Sequence, residues 1–204
     1  MKGNFDMRKV EHADIKLVIG GMSFTWDDKK AAANFRKHGV RFSEAAGVFL
    51  DENVVIDINS VDNYTGEERL QAVGMIYGDV MFIVYVERVT VDNDDIIRII
   101  SARNATKEEE RYYAYGLHDI LKAVKDPEER EAIRQDFVKR MELNRKMRGI
   151  EIDCSDIPEV TDFSGFRPGK PYFDKMREHN KRFLAERERA KQERQNLTKQ
   201  PEGI

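Results

Sequence analysis

A single cysteine, Cys154, occurs in 204 residues. No disulfide can close within the chain, so the stapled framework of a small secreted domain is excluded. No run of about 18 apolar residues is present, and the first residues carry no apolar signal core. No membrane contact and a cytoplasmic setting are therefore expected. Phosphate loops of the form G-x-x-x-x-G-K-[ST] and nucleophile elbows are missing. His12, His38, His118 and His179 are scattered and give no zinc spacing. The acidic run Asp92, Asp94 and Asp95 lacks the glycine and terminal glutamate of a calcium loop. No metal and no cofactor is expected. An excess of one charge is missing as well: 36% of residues are charged, yet the formal net charge is −3. Residues 22–116 are themselves acidic overall, so any contact with RNA has to rest on a local patch.

What is present divides near Gly116. Ahead of it, 54–56, 70–76, 80–86 and 96–100 are rich in β-branched and aromatic residues and read as strands. The segment 80–86, apolar at both parities, is expected at the centre of the sheet. Asp27 is placed to cap a first helix that Gly39 ends, and Ser43 to cap a short second helix through Phe49. Thr106 and Glu109 form a capping box that opens a further helix across Tyr112 and Tyr113. Consecutive strands joined by short turns predict an α+β domain: a small antiparallel sheet with helices packed on one face.

After Gly116 strand signals nearly vanish, and a mostly helical C-terminal extension is expected. Asp126 and Pro127 start a helix that Gly149 closes. Residues 149–172 hold three of the five prolines and read as extended. Beyond them, Phe173, Met176, Asn180, Phe183 and Leu184 recur at helical steps in a charged background. The expected divisions are an N-terminal extension (1–21), a globular domain (22–116), a helical extension (117–148), an extended segment (149–172) and a charged helix with tail (173–204).

Several motifs follow one another in order through the globular part. Phe24, Trp26 and Asp27 precede Lys30, Asn34, Lys37, His38, Gly39 and Val40 on the first helix. Phe42, Glu44, Ala45, Val48 and Phe49 come next, then Gly66, Glu67 and Arg69 as G-E-x-R, and Gly74. Glu87-Arg88, the run from Arg98 to Arg103 (R-I-I-S-A-R), and Ala105-Thr106 with Glu109 and Tyr113 complete the series. This pattern resembles the BrnT-type ribonuclease toxins. The resemblance implies a RelE-like fold and a metal-independent endoribonuclease of a type II toxin-antitoxin system, acting on single-stranded RNA or mRNA in a bacterial cytoplasm beside an antitoxin partner. Members commonly begin two residues before the aromatic that Phe24 matches, so residues 1–21 read as an extension.

Cleaving RNA without a metal needs a base for the ribose 2′-OH, cations for the charge growing on phosphorus and a donor to the leaving oxygen. Arg88, Arg98 and Arg103 are candidates for the second task, with Glu67 a candidate base and Arg69 a candidate RNA contact. The alternative is that these arginines pair with Glu67, Glu87 or the acidic loop 89–95 as ordinary ion pairs. Arg98 and Arg103 are five residues apart and face opposite sides of a continuous strand, so sharing a site requires the strand to end near Ser101. Lys30, Asn34, Lys37 and His38 occupy one helix face. They form either an RNA-tracking ridge or, for Lys37 and His38, a cation pair facing the helix C-terminal dipole, with Asn34 holding a neighbouring loop. Trp26 and the Tyr112-Tyr113 pair could stack on bases, although for Trp26 core packing is the favoured reading.

Ser155 to Pro158, Asp162 to Ser164, Arg167, Pro171 and Tyr172 weakly resemble the short antitoxin-like partners of such toxins. The resemblance implies a toxin and a partner-like tail in one chain. Because Phe163, Phe166, Tyr172, Phe173, Met176, Phe183 and Leu184 need a surface, restraint of the toxin by this segment is expected, with Asp153, Asp156, Glu159 and Asp162 imitating a phosphate backbone. The alternative is a charged tail solvated on its own. A reading from another class is an inactive toxin-like domain that serves as a protein-binding or regulatory module. RNA and an antitoxin-like protein or the chain's own tail are the expected partners, and the oligomeric state stays open.

Overall fold

The computed structural model describes residues 9–10, 14–57, 68–90, 93–116, 121 and 124–198. The strands are β1 (Lys9–Val10), β2 (Leu17–Ile19), β3 (Met22–Thr25), β4 (Val55–Asp57), β5 (Leu70–Ile76), β6 (Asp79–Thr90), β7 (Asp95–Asn104) and β8 (Phe166–Pro168). The helices are α1 (Asp28–His38), α2 (Phe42–Ala45), α3 (Lys107–Gly116), α4 (Pro127–Met147) and α5 (Lys170–Thr198), with a 3-10 turn at Ala46–Leu50.

Seven strands run in the order β2-β3-β7-β6-β5-β4-β8, and β1 pairs with β6. The apolar segment expected at the centre, now β6, takes the middle place. The β5-β6 and β6-β7 pairs are antiparallel, whereas β3-β7 and β1-β6 are parallel, so the sheet is mixed. The chain is α+β. Residues outside 22–116 enter the same sheet at β1, β2 and β8.

Alternation along β6 splits the core in two. Ile83 and Tyr85 face a cluster with Phe24, Phe42, Phe49, Ile97, Ile99 and Ala102, to which α2, the 3-10 turn and α5 contribute. Phe82 faces the other way, with Val73, Val80, Tyr113, Val138, Ile157 and Phe166. The expected one-sided helix packing thus describes α1 and α2, while α3 and α4 cover the opposite face. Phe173 of α5 is fully buried in the first cluster, edge-on to Phe49 with centroids 5.0 Å apart.

Local signals explain the helix ends. Asp27 accepts the Lys30 N–H, and Gly39 closes α1 in the left-handed region at φ 68°. Thr106 and Glu109 exchange the two bonds of a capping box: the Thr106 N–H donates to Glu109 Oε2 at 2.9 Å and the Glu109 N–H to Thr106 Oγ1 at 3.4 Å. Asp126 accepts the Glu128 N–H at the start of α4. The short second helix departs from expectation. It begins at Phe42 rather than after Ser43, because the Glu44 carboxylate accepts the Arg41 N–H, and it tightens into the 3-10 turn.

Arg145 of α4 donates to Glu110 of α3 at 2.6 Å. Burial is the largest influence on Glu110 and pushes its pKa to about 7 against the pull of Arg145. A carboxyl whose folded pKa lies above its unfolded value stabilises the fold fully below about 4.5, and that contribution is lost as pH rises through about 7. Chemical denaturation of the wild type should show a stability loss on the order of 3 kcal/mol across this window that Glu110→Gln lacks. Parallel pH profiles for the two proteins would contradict this.

Candidate functional site

The pairing of β6 with β7 decides where the arginines point. Tyr85 faces Ile99 but Val84 faces Ser101, so Ile100 is an extra residue bulged out of β7. The bulge resets parity. Arg98 lies opposite Val86 and Arg103 opposite Phe82, two residues of β6 that share one face. The expectation that the two arginines meet only if the strand stops near Ser101 is therefore corrected: β7 runs on to Asn104, and the bulge brings both to one face. Four residues of β6 separate their levels, about 13 Å.

At one pole, three arginines gather. Arg88 pairs with Ile96 and is the diagonal neighbour of Arg98, about 7–8 Å away between Cα atoms. Arg69 immediately precedes Leu70, which lies opposite Tyr85, so the next step of the alternation brings Arg69 to the level of Val86. Arg69 and Arg98 thus flank Val86 across three strands, about 10 Å apart at the usual strand spacing. Lys30, at the N-terminal end of α1, lies towards the same pole. Its backbone N–H, its charge and that of Arg98 all hold Asp27 below the ordinary carboxylate range. The register thus places the backbones of three arginines, a residue type whose planar fork suits phosphate oxygens, near one another on one face. Glu67, the expected base, lies outside the described residues.

At the other pole, Arg103 is 1% exposed and its fork is fully engaged. It donates to both oxygens of Glu109 at 2.6 and 2.8 Å, and to the carbonyls of Ile157 and Pro158 at 3.1 Å. It also packs over the Phe82 ring. An ion pair is the observed arrangement for this arginine, with Glu109 as the partner in place of Glu67, Glu87 or the acidic loop. The C-terminal end of α1 sits here too. Lys37 contacts Asp156 at 2.6 Å and Asp153 at 3.6 Å, and buried His38 contacts Asp156 at 3.1 Å. Partial burial works against the Asp156 carboxylate, yet the bonds from Lys37 and His38 outweigh it and hold its pKa low. Asn34, between the two lysines, is spent on structure. It donates to the Val40 and Ala102 carbonyls and accepts from Ser101 and the Ala102 N–H, clipping α1 to β7.

The tail also reaches the far end of the sheet. Tyr172 donates to Glu87 Oε2 at 2.5 Å, and His179 and Asn180 of α5 bond to Asp95. Burial raises the Glu87 pKa, opposed by the bond from Tyr172. Glu87 faces the α5 side, across the sheet from its neighbour Arg88. Trp26 packs edge-on against Phe42, and Tyr112 stacks on Phe163 at 4.2 Å, so both aromatics serve packing. Asp162 accepts the N–H of Ser164 in a local turn. Sequence reasoning did not foresee the hydrogen bonds that Tyr172, His179 and Asn180 make to Glu87 and Asp95, nor Glu109 as the partner of Arg103. Only the last had a signal, since a capping glutamate six residues beyond a strand arginine returns towards the strand end.

A small mixed sheet, with Arg69, Arg88 and Arg98 on one face at one end of its central strands, defines an α+β domain. Residues 26–119, a little under half of the chain, match the model of the ribonuclease toxin BrnT of type II toxin-antitoxin systems. No curated protein matched the chain. The family implies an RNA target and an antitoxin partner. No helix among the described residues is long and apolar enough to cross a membrane.

Removing one member of a buried ion pair strands the other, at about 3–5 kcal/mol. Glu109→Leu should therefore lower thermal stability sharply, and Arg103→Met added to it should recover much of the loss. An unchanged melting temperature in Glu109→Leu would show that the pair does not anchor this end of the sheet.

Proposed function

We propose that the domain is a metal-independent endoribonuclease that cleaves single-stranded RNA, with Arg69, Arg88 and Arg98 as its phosphate-binding row. The observation that carries this reading is the gathering of the three arginines on one face at the end of β5, β6 and β7. In the reaction a base removes the 2′-OH proton, the 2′-oxygen attacks the adjacent phosphorus, and the 5′-oxygen leaves with a proton from a general acid, giving a 2′,3′-cyclic phosphate that water then opens to a 3′-phosphate. Glu67 is the proposed base. Arg88 and Arg98 offset the charge that develops on the phosphorane, and Lys30 leads RNA along α1 towards Lys37 and His38. Arg103 supports this arrangement from the other pole of the same face, as the anchor of β7 and α3.

The full chain in excess EDTA should cut single-stranded RNA at an unchanged rate, and Arg88→Ala or Arg98→Ala should each lower that rate about 100-fold or more. Absence of cleavage at micromolar protein over hours, with wild type and Arg98→Ala indistinguishable, would overturn the proposal. The reading as a protein-binding module would then stand, supported by the engagement of Lys37 and His38 with carboxylates.

The same engagement supports restraint by the tail. Asp156 takes Lys37 and His38, at the distal end of the α1 ridge, as a backbone phosphate would. Charge reversal at Asp156 in the full chain should raise RNA cleavage several-fold. Reversal at Asp162, whose carboxylate serves a local turn, should not. Equal rates for wild type and Asp156→Lys would remove the restraint.

A further inference from the structure

We infer that the cleft between the C-terminal end of α1, the end of β7 and α3 is a recognition site for an extended peptide, and that residues 153–166 are its resident ligand. The pair at the heart of the site comes from β7 and α3, outside the segment that it holds. Arg103 and Glu109 are 1% and 0% exposed, and each directs part of its hydrogen-bonding capacity outward at a backbone. Arg103 donates to the Ile157 and Pro158 carbonyls, and Glu109 Oε1 accepts the Val160 N–H at 3.1 Å. An ion pair that offers donors and an acceptor to consecutive peptide groups reads a chain in extended form, irrespective of its side chains.

Side-chain selectivity comes from three places. Lys37 and His38 require a carboxylate at the position of Asp156. The second core cluster takes Ile157, which is 3% exposed. Tyr112 stacks on Phe163 with rings 11° from parallel and donates its hydroxyl to the Phe166 carbonyl at 3.3 Å. The occupant has the habit of a ligand. Residues 150–165 form no helix or strand. Their own hydrogen bonds include two short turns, in which Asp153 accepts from Ser155 and Asp162 from Ser164. These turns preset the two anchor points, Asp156-Ile157 and Phe163. The cleft therefore selects an acidic residue followed by Ile and Pro, with an aromatic about six residues beyond Ile. A partner protein bearing such a segment competes with the resident one, which linkage favours at an effective concentration of about millimolar.

The test uses the full chain carrying Asp156→Lys and Ile157→Asp, which weaken the resident segment, and a fluorescent peptide of wild-type sequence 150–168 followed by anisotropy. Saturable binding at least tenfold tighter than to the wild-type chain is expected. It should be lost when the peptide carries the same two substitutions, and weakened when Tyr112→Ala is added to the chain. Binding to the folded variant no tighter than to wild type, or equal binding of the substituted peptide, would overturn the inference. If circular dichroism shows the double variant unfolded, Asp156→Lys alone takes its place under the same criteria, since its side chain is 46% exposed. Peptide binding is read without RNA, so failure here leaves the ribonuclease proposal untouched, and the reverse also holds.

Discussion

Arg103 paired with Glu109 is the contact on which most of the structure hangs. Two charges taken this far out of water are costly, and the cost is met only where geometry and further hydrogen bonds satisfy the remaining donors and acceptors. Here that condition ties three parts of the chain into one unit. The arginine comes from the end of β7. The glutamate comes from the first turn of α3, where it also caps the helix through the Thr106 N–H. The outstanding donors are completed by carbonyls of residues 157 and 158. A strand end, a helix start and a segment more than fifty residues further on therefore share a single electrostatic condition, and none can shift without exposing or stranding charge.

The bulge at Ile100 plays a comparable part for the candidate site. In an unbroken strand, Arg98 and Arg103 would lie on opposite faces, and one of them would point into the α1 side of the core. One inserted residue lets Ile97, Ile99 and Ala102 all fill the first cluster while both arginines face the other way. The packing requirement of the core and the polar requirement of the opposite face are met together. The arginine row around Val86 is as much a product of strand register as of composition.

This is why some features could be read from the residues and others could not. Caps are local, so Asp27, Gly39, the Thr106-Glu109 box and Asp126 with Pro127 announce themselves within four residues, and the doubly apolar β6 announces its central place. A bulge leaves no comparable mark, because Ile99 and Ile100 suit either register and parity is decided by what packs beneath Ala102. The role of Arg103 is hidden for a related reason: its partner and its ligands are fixed by tertiary geometry, and an arginine in a strand reads the same whether it meets a carboxylate or a phosphate. The apolar groups of the tail did signal a need for a surface. Which surface they find depends on a sheet edge at β4 and on the edge-on pair of Phe49 and Tyr85, whose two rings Phe173 meets, and neither can be seen along the chain.

The span matched by the toxin family and the span that makes a complete core are thus different things. Phe173 supplies the ring that Phe49 packs against edge-on, β8 covers the edge of β4, and residues 157–160 complete the Arg103-Glu109 pair. A module ending near residue 116 would expose aromatic surface, an unpaired strand edge and part of a buried ion pair, all at once. Those are three kinds of surface that a separate partner could cover, and here a covalently attached segment covers all three. Linkage removes the dependence on partner concentration, so a fold that needs a covering segment for its own completion holds the same segment over the cations at the distal end of α1.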